Sequence, residues 1–342
     1  MKVLIVDGQW NLKRNFFSQK SARSSKGELC GGIIGFLASL KQVINKVVPD
    51  RVVVAWDGFN AGKLRWEIYP QYKSKRKNYE SETRMLQNEG MTMDPKERER
   101  FEIFKQKLVL SNILDELYIR QMEVDLIEAD DLIAQYILKS ENDNDEIYIY
   151  SRDGDFVQLI SDKVKIINPD HLWILDKKTY EEKYGTTIEN ELLFKCFDGD
   201  SADEITKVKG VTREKLVENF PRMATEKYTY QRLVDECNEA KKDKKKSKLK
   251  FYDTILDAKY ILYRNAKLMN LKQPFLNKEA IELVDNVKYG ILDNTREITS
   301  AVSYLMKEGL IDIIGLEYID SYLAPFYMVM AKEKEYANKM KI

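Results

Sequence analysis

Short apolar runs that end in an acid alternate with helical patterns in the first half of the chain. Val3–Val6 and Arg51–Trp56 have the composition of buried strands, and an aspartate follows each of them directly. Between them, residues 28–48 place apolar side chains at a helical period. A strand, a crossover helix and a second buried strand form a parallel unit with both strand ends at one edge of a sheet. We therefore predict a parallel-sheet α/β domain over residues 1–190 with acids on one rim.

The same arrangement recurs in the middle of the chain. A helical pattern, EADDLIAQYILK, precedes the β-rich run Ile147–Tyr150, which leads into the turn SRDGD, and a further strand is expected at Val164–Ile167. Each acid alone has a structural explanation, because a helix dipole favours a first-turn acid by about 0.3–1 kcal/mol and Asp-Gly-Asp is an ordinary turn. Two carboxylates about 4 Å apart, however, repel by roughly 4 kcal/mol at an effective dielectric constant of 20. Acids that the fold gathers on one rim therefore need cations, and a divalent-metal site is the leading hypothesis.

Composition narrows the chemistry further. The chain has 342 residues, of which 44% are hydrophobic and 33% charged, as in a globular protein. No apolar run approaches the roughly 18 residues of a membrane span. Three scattered cysteines are typical of a reduced, cytosolic protein without a zinc site. His171 is the only histidine, which excludes Ser-His-Asp and Cys-His catalysis and any multi-histidine metal site.

The net charge is zero, but the charges are unevenly distributed. Residues 63–77 carry six basic side chains and one acid, and residues 241–250 carry seven lysines and one acid. An acidic centre flanked by basic tracts suits a phosphate polymer handled by metal ions. The lysine tract 241–250 is also explained simply as a solvated loop.

The rest of the chain departs from the strand–helix rhythm. Residues 78–108 are polar, are interrupted by Gly90 and Pro95, and are too long for an ordinary connection. From about residue 191 the apolar positions follow a helical period. We therefore predict a second, helical domain over residues 191–342.

Five short blocks stand in a characteristic order: Asp7 at a strand end, Asp57 with the downstream RWEIYPQYKSKR, EADD at 128–131, SRDGDFVQL at 151–159 and GDSAD at 199–203. In this order they resemble the 5′-nuclease family. That family comprises flap endonucleases, the 5′-nuclease domain of bacterial DNA polymerase I and the RNase H-type 5′→3′ exonucleases of T-even phages, and the last group is the most similar.

The resemblance implies a particular domain plan. Residues 1–190 would form a PIN-like α/β catalytic domain, in which residues 78–108 are the helical arch or gate for the single-stranded 5′ end. Residues 191–342 would form a helical DNA-binding domain with a helix-three-turn-helix element at about 199–218.

The resemblance also implies two divalent ions, normally Mg²⁺, with Mn²⁺ as a substitute. Their ligands would be Asp7, Asp57, Glu128, Asp130, Asp131, Asp153, Asp155, Asp200 and Asp203. Asp130 and Asp153 would lie nearest the reacting phosphate, while Asp155, Asp200 and Asp203 would hold the second ion, partly through water. Shells of carboxylate and water suit magnesium or manganese. Two ions about 3.5–4 Å apart can activate a water and stabilise the leaving oxygen.

The family pattern assigns Lys73 and Arg76 to catalysis at the scissile phosphate, where a fixed cation stabilises developing charge. Tyr72 would stack on a base. Thr212 and Glu214 depart from the pattern, because the family usually has a glycine and a lysine there. The residues implied to bind nucleic acid are Arg65, Tyr72, Lys73, Arg76, Lys207, Lys209, Gly210 and Arg213.

These assignments predict a structure-specific 5′→3′ exonuclease and flap endonuclease, with RNase H-type activity, that removes RNA primers and 5′ flaps in DNA replication. The expected partners are branched or flap DNA, RNA–DNA duplexes and a single-strand-binding or sliding-clamp protein. We expect a monomer without membrane contact in the cytoplasm, which is the host cytoplasm if a phage encodes the protein.

Two alternatives stay open. A PIN-type single-strand ribonuclease shares the acids but usually lacks the basic tract, the arch and the helical domain. A non-catalytic branched-DNA-binding protein would be expected to have lost some of the carboxylates, and here all of them are present.

Overall fold

The centre of the structure is a six-stranded sheet in the part of the chain that the structure describes. The strands are β1 (Lys2–Asp7), β2 (Arg51–Ala55), β3 (Arg120–Met122), β4 (Glu146–Tyr150), β5 (Val164–Ile167) and β6 (Ile174–Leu175). They lie in the order β3-β2-β1-β4-β5-β6, and every neighbouring pair is parallel except β5 and β6. The predicted parallel α/β fold is therefore confirmed. The short strands β3 and β6 were not predicted.

The structure is a computed structural model that describes residues 1–74, 94–292 and 298–340. Two predictions, Arg76 and residues 78–93 of the arch, lie outside the described residues. The remaining part of the predicted arch begins with Asp94, whose side chain accepts hydrogen bonds from two backbone amides and caps a long helix.

Helices cover both faces of the sheet. Neighbouring side chains of a strand point to opposite faces, so Leu4 and Val6 belong to one core and Val3 and Ile5 to the other. The helices are α1 (Gly8–Ser18), α2 (Gly31–Val47), α3 (Lys63–Ile68), α4 (Pro95–Glu116), α5 (Ala129–Lys139), α6 (Lys177–Tyr184), α7 (Glu191–Asp198), α8 (Arg213–Asn219), α9 (Tyr230–Ala240), α10 (Lys250–Asp257), α11 (Lys259–Met269), α12 (Lys278–Tyr289), α13 (Ile298–Lys307), α14 (Ile311–Ile314) and α15 (Ile319–Lys339).

The C-terminal helices belong to the cores of the sheet. Leu305 of α13 and Phe326 of α15 are buried in the core that contains Leu4 and Val6, while Val284 of α12 is buried in the core on the opposite face. A separate apolar core joins α7 to α11. The predicted boundary near residue 190 therefore precedes a helical unit, but α12, α13 and α15 return to the sheet.

A buried ion cluster fixes α15 to the sheet. Glu333 of α15 lies 2.7 Å from Arg51 of β2 (Oε1 to Nε) and 2.7 Å from Arg120 of β3 (Oε2 to Nη2), and all three side chains are at most 2% exposed. Arg120 also donates to the carbonyls of Val287 and Gly290, at 2.8 and 2.9 Å. The cluster thus connects two strands, the end of α12 and the last helix.

The strand order reverses between β1 and β4. The chain moves from β1 to β2 and β3 on one side, and from β4 to β5 and β6 on the other. In open α/β sheets the crevice at such a reversal, beyond the carboxyl ends of the strands, is the usual ligand site. No helix of the described residues is long and apolar enough to cross a membrane.

Candidate metal and nucleic-acid site

The carboxyl ends of β1 and β4 are pinned together by one hydroxyl group. Ser151 Oγ donates to Asp7 Oδ2 at 3.0 Å and accepts from the backbone amide of Asp153 at 3.0 Å. The other oxygen of Asp7 accepts from the amide of Trp10 at 3.0 Å, so Asp7 is also the N-cap of α1. Asp7 and the segment that carries Asp153 therefore lie side by side at the strand reversal.

The acids at the start of α5 reach the same rim. Asp57, just beyond β2, accepts a hydrogen bond from the amide of Ala129 at 3.0 Å, which holds the first turn of α5 over the strand end. Burial, followed by the charges of Asp153, Asp7 and Glu128, raises the pKa of Asp130 well above its ordinary value. Acids from two strands and one helix therefore act on each other electrostatically.

The loop after α7 closes the site from the helical side. Asp200 Oδ1 accepts from the amides of Ala202 and Asp203 at 2.7 and 3.2 Å. Gly199 has φ +62°, and a Cβ atom there would lie 2.5 Å from the carbonyl oxygen of Ile205, so the turn requires glycine. A cavity of about 140 Å³ lies between this loop and the strand ends. The acids that line it are Glu128, Asp130, Asp153, Asp155, Asp200 and Asp203.

Crowding makes two of the acids hard to ionise. Burial, and then the charges of Asp57 and Asp153, raise the pKa of Asp7 to about 7. Asp153 has exposed surface, but the protein packed around its carboxyl and then the charge of Asp155 raise its pKa to about 6. An all-oxygen donor set with unfavourable mutual repulsion fits hard divalent cations. Among the described residues, no group of three or more His, Cys, Asp or Glu side chains has the geometry to hold a metal ion.

Two lysines neutralise part of this charge. Lys73 pairs with Glu128, and its Nζ lies 3.6 Å from Asp203 Oδ2. Lys195 of α7 pairs with Asp155. Lys195 was not predicted, although it is the one basic residue in an otherwise apolar stretch, LLFKCF, just before the GDSAD block.

Arg65, Tyr72 and Asp131, which were predicted to bind nucleic acid or metal, are buried and make internal hydrogen bonds. Arg65 is 4% exposed, and its guanidinium binds both oxygens of Asp131, at 2.6 and 2.9 Å. The fully buried Asp131 also accepts from the amide of Phe275 at 3.0 Å, so it faces away from the acid cavity. Tyr72 is 3% exposed and donates to Glu128. Arg65 and Tyr72 nevertheless line the acid cavity, whereas Asp131 does not. Contact of Arg65 and Tyr72 with nucleic acid, and metal ligation by Asp131, stay predictions.

Glu128 is the centre of that buried network. Its carboxylate accepts from Tyr72, pairs with Lys73 and lies 2.7 Å from Arg65 Nη1. Burial alone would raise the pKa of Glu128, but the charges of Lys73 and Arg65 lower it to about 2. Glu128 is therefore ionised at neutral pH, and it positions the lysine predicted to act on the phosphate.

The predicted helix-three-turn-helix region, at about residues 199–218, contains the loop that follows α7 and most of α8. Lys207 and Lys209 are exposed, and Gly210 has φ +86° with open space around it. Arg213 instead pairs with Glu191 at 2.8 Å, and its side chain is 16% exposed. Thr212 accepts from a backbone amide of α8 as its N-cap, which accounts for threonine at this position. Lys207, Lys209 and Gly210 are thus open to a ligand, whereas Arg213 is engaged internally.

Residues 2–185 match the family model described as 5′-3′ exonuclease, N-terminal resolvase-like domain. The chain belongs to this family. The predicted resemblance is therefore confirmed, whereas the particular similarity to enzymes of T-even phages stays a prediction.

This chain aligns with only part of some relatives and with nearly the whole length of others. The chain is 30% identical over 222 residues to the thermostable DNA polymerase I of Thermus thermophilus, covering 64% of this chain but only 24% of that protein. It is 28% identical over 282 residues to the 5′-3′ exonuclease of Aquifex aeolicus, covering 81% of this chain and 90% of that one. A solved structure of the 5′-exonuclease of bacteriophage T5 with bound divalent metal ions (zinc) aligns with a TM-score of 0.60 at 17% identity, covering 90% of this chain and all of that one. This last similarity is one of fold.

The raised carboxylate pKa values of this family member predict a pH-dependent effect of Mg²⁺ on stability. The pKa values of about 7 for Asp7 and about 6 for Asp153 exceed the ordinary value of 3.8. The folded protein therefore holds protons that the unfolded chain has released, so the metal-free protein loses stability as the pH rises through this window. We expect millimolar Mg²⁺ to raise the unfolding temperature clearly at about pH 8 and little at about pH 5.

Differential scanning calorimetry with and without Mg²⁺ measures this effect. Asp153→Asn should shrink the shift at the higher pH. An equal shift at both pH values, or an unchanged shift in Asp153→Asn, would contradict it.

Proposed function

We propose that the protein is a metal-dependent 5′→3′ exonuclease and flap endonuclease that removes RNA primers and 5′ flaps during DNA replication. The observation that carries this proposal is the convergence of acids at one rim. Acids that follow β4, begin α5 and lie in the loop after α7 line one cavity together with Lys73, and the charges of Asp57 and Asp153 act on Asp7 at the end of β1. Clustering these acids costs electrostatic repulsion, and the stability of the fold gives no reason to place them together.

The residues have distinct roles in this proposal. Asp7, Asp57, Asp130 and Asp153 would hold one divalent ion, and Asp155, Asp200 and Asp203 a second. When bound, such ions lower the pKa of water and stabilise the charge of an in-line displacement at phosphorus. Mg²⁺ is the proposed ion and Mn²⁺ its substitute, because both prefer oxygen ligands.

Lys73 would act directly on the substrate. Its ammonium group lies between Glu128 and Asp203, so its position is fixed before a phosphate arrives. A preorganised cation at the site of developing negative charge stabilises the transition state without reorganisation. Arg76, three residues later, stays a predicted second cation.

Lys207, Lys209 and the open Gly210 would contact the duplex backbone. Exposed lysines and a glycine without neighbours allow the close approach of a phosphate to backbone amides. These contacts would select branched or flap DNA and RNA–DNA duplexes over a free single strand. A single-strand-binding or clamp partner stays a prediction.

A cleavage assay separates this function from its rivals. We expect a 5′-flap duplex to be cut with Mg²⁺ and to stay intact with EDTA, and a plain single-stranded RNA of equal length to be cut much more slowly. Gel electrophoresis of strands labelled at either end measures both rates and identifies the product. Faster cutting of the single-stranded RNA would favour the PIN-type ribonuclease. Tight flap binding without Mg²⁺-dependent cutting would favour the non-catalytic module.

A further inference from the structure

A second cationic feature lies at the carboxyl edge of the sheet, and none of the predicted contacts uses it. Asp170 Oδ1 accepts from Arg14 Nη2 at 3.1 Å, and Asp170 Oδ2 lies 3.3 Å from Arg152 Nη1. One carboxylate thus connects guanidinium groups from two separate elements. The three side chains are 32%, 64% and 31% exposed for Arg14, Arg152 and Asp170, so the group is open to solvent.

Its position relates it directly to the acids. Arg152 immediately precedes Asp153 after β4, and Arg14 lies on α1, the helix that Asp7 caps. Asp170 follows β5, whereas the segment that leads to Lys73 follows β2, on the other side of β1 and β4. A strand that crosses the acids from Lys73 would therefore next meet Arg14 and Arg152.

The group is held in place before any ligand arrives. Asn168 Oδ1 accepts from the amide of Asp170 at 2.9 Å, and the backbone of Asn168 pairs with that of Trp173 at 3.0 Å, which closes the loop. The guanidinium of Arg14 lies 5.6 Å from the ring centre of Trp10, and this contact orients it.

We propose that Arg14 and Arg152 form a binding site for a backbone phosphate of the substrate strand, and that Asp170 occupies it in the free protein. A carboxylate and a phosphodiester each present two anionic oxygens to guanidinium forks. Because exposed ion pairs contribute little to stability, an arriving phosphate can displace Asp170 easily. Asp170 is thus a competing anion that weakens binding and releases the strand after cleavage. The proposal rests on the proposed function, since it requires a nucleic-acid substrate.

The deciding variant is Asp170→Asn, which keeps the shape of the side chain and removes its charge. We expect it to bind a 5′-flap duplex roughly fourfold more tightly, the effect of removing one charge about 5 Å from a phosphate in water. Fluorescence anisotropy in EDTA measures this affinity without cleavage. The matched control is Asp50→Asn, which breaks a comparable exposed pair with Lys332 at the opposite edge of the sheet and should leave affinity unchanged.

The arginines give the complementary result. Arg152→Ala should weaken binding and reduce the slope of log affinity against log salt by about 0.9, the value for one lost phosphate contact. Arg152→Lys should restore the slope but not the full affinity. Arg232→Ala is the control, because Arg232 is also a partly exposed arginine in an ion pair, here with Glu226 and Glu236, and none of the proposed contacts uses it.

Two results would overturn the proposal. One is an Asp170→Asn protein that binds no more tightly than the parent protein, and the other is an Arg152→Ala protein with an unchanged salt slope. Either result can coexist with normal Mg²⁺-dependent cleavage, in which case the proposed function stands and only the phosphate site fails. If no cleavage occurs but both variants change binding as expected, the phosphate site stands and the proposed nuclease function fails.

Discussion

Replacing Asp153 with alanine is expected to lower cleavage of a 5′-flap substrate by about 1,000-fold or more, while binding of the same substrate stays nearly unchanged. Asp153 lies where the strand order reverses, within the electrostatic reach of Asp7, Asp130 and Asp155. Its loss would remove a carboxylate from the centre of the proposed ion site, and metal ions supply several kcal/mol of transition-state stabilisation, with each 1.4 kcal/mol worth about tenfold in rate. Single-turnover cleavage with Mg²⁺ measures the rate, and anisotropy in EDTA measures the binding.

Asp162→Ala provides the matched control for this variant. Asp162 is also an exposed acid in a turn beside β5, but it precedes that strand and so lies at the opposite edge of the sheet. The Asp162→Ala protein should cleave the flap substrate at the rate of the unaltered protein. If Asp153→Ala instead lost binding and kept a substantial cleavage rate, Asp153 would contribute to substrate binding and not to metal binding.

Replacing Glu333 with glutamine is expected to destabilise the protein by about 3–5 kcal/mol. The variant leaves Arg51 and Arg120 buried with no anion between them, and an uncompensated buried charge is far more costly than a lost surface pair. Urea denaturation followed by far-ultraviolet circular dichroism measures the loss. The site residues lie at the other end of the strands, so the folded variant should still cut DNA.

The same helix offers a control at an exposed position. Glu335 pairs with Lys339 one turn later, and both side chains are mostly exposed to solvent. Glu335→Gln should therefore unfold at the same urea concentration as the unaltered protein. A Glu333→Gln protein as stable as this control would show that Arg51 and Arg120 are satisfied by the carbonyls around them.

The rim of acids could be predicted because its cause is local and repeated. Apolar runs that lead into an aspartate mark the ends of β1, β2 and β4, and parallel strands bring those ends to one edge, so Asp7, Asp57 and Asp153 converge without further information. The family blocks extended the prediction to Asp200 and Asp203, which line a cavity together with Asp153.

The partners of individual side chains could not be predicted in the same way. Asp130 and Asp131 are neighbours, but successive helical residues point about 100° apart, and nothing in EADD shows which of them faces the rim. Only the tertiary structure places Arg65 against Asp131 and buries it. The basic tract around Arg65 resembles an exposed surface because Asp131, the acidic partner of Arg65, is 66 residues away in sequence.

The packing of the C-terminal helices against the sheet could not be predicted from the sequence either. Their apolar periodicity predicts helices with one buried face, but it does not specify the surface against which that face packs. The contact of Glu333 with Arg51 spans 282 residues, and no local pattern encodes such a pair.

The position of α15 determines how the protein can be divided. The family match ends at residue 185, which invites excision of a catalytic module there. Such a fragment would carry Arg51 and Arg120 without Glu333, an uncovered sheet face in place of Phe326, and no Asp200 or Asp203. A fragment that keeps Glu333 with Arg51 and Arg120, as well as all the acids of the cavity, therefore has to extend into the last helix.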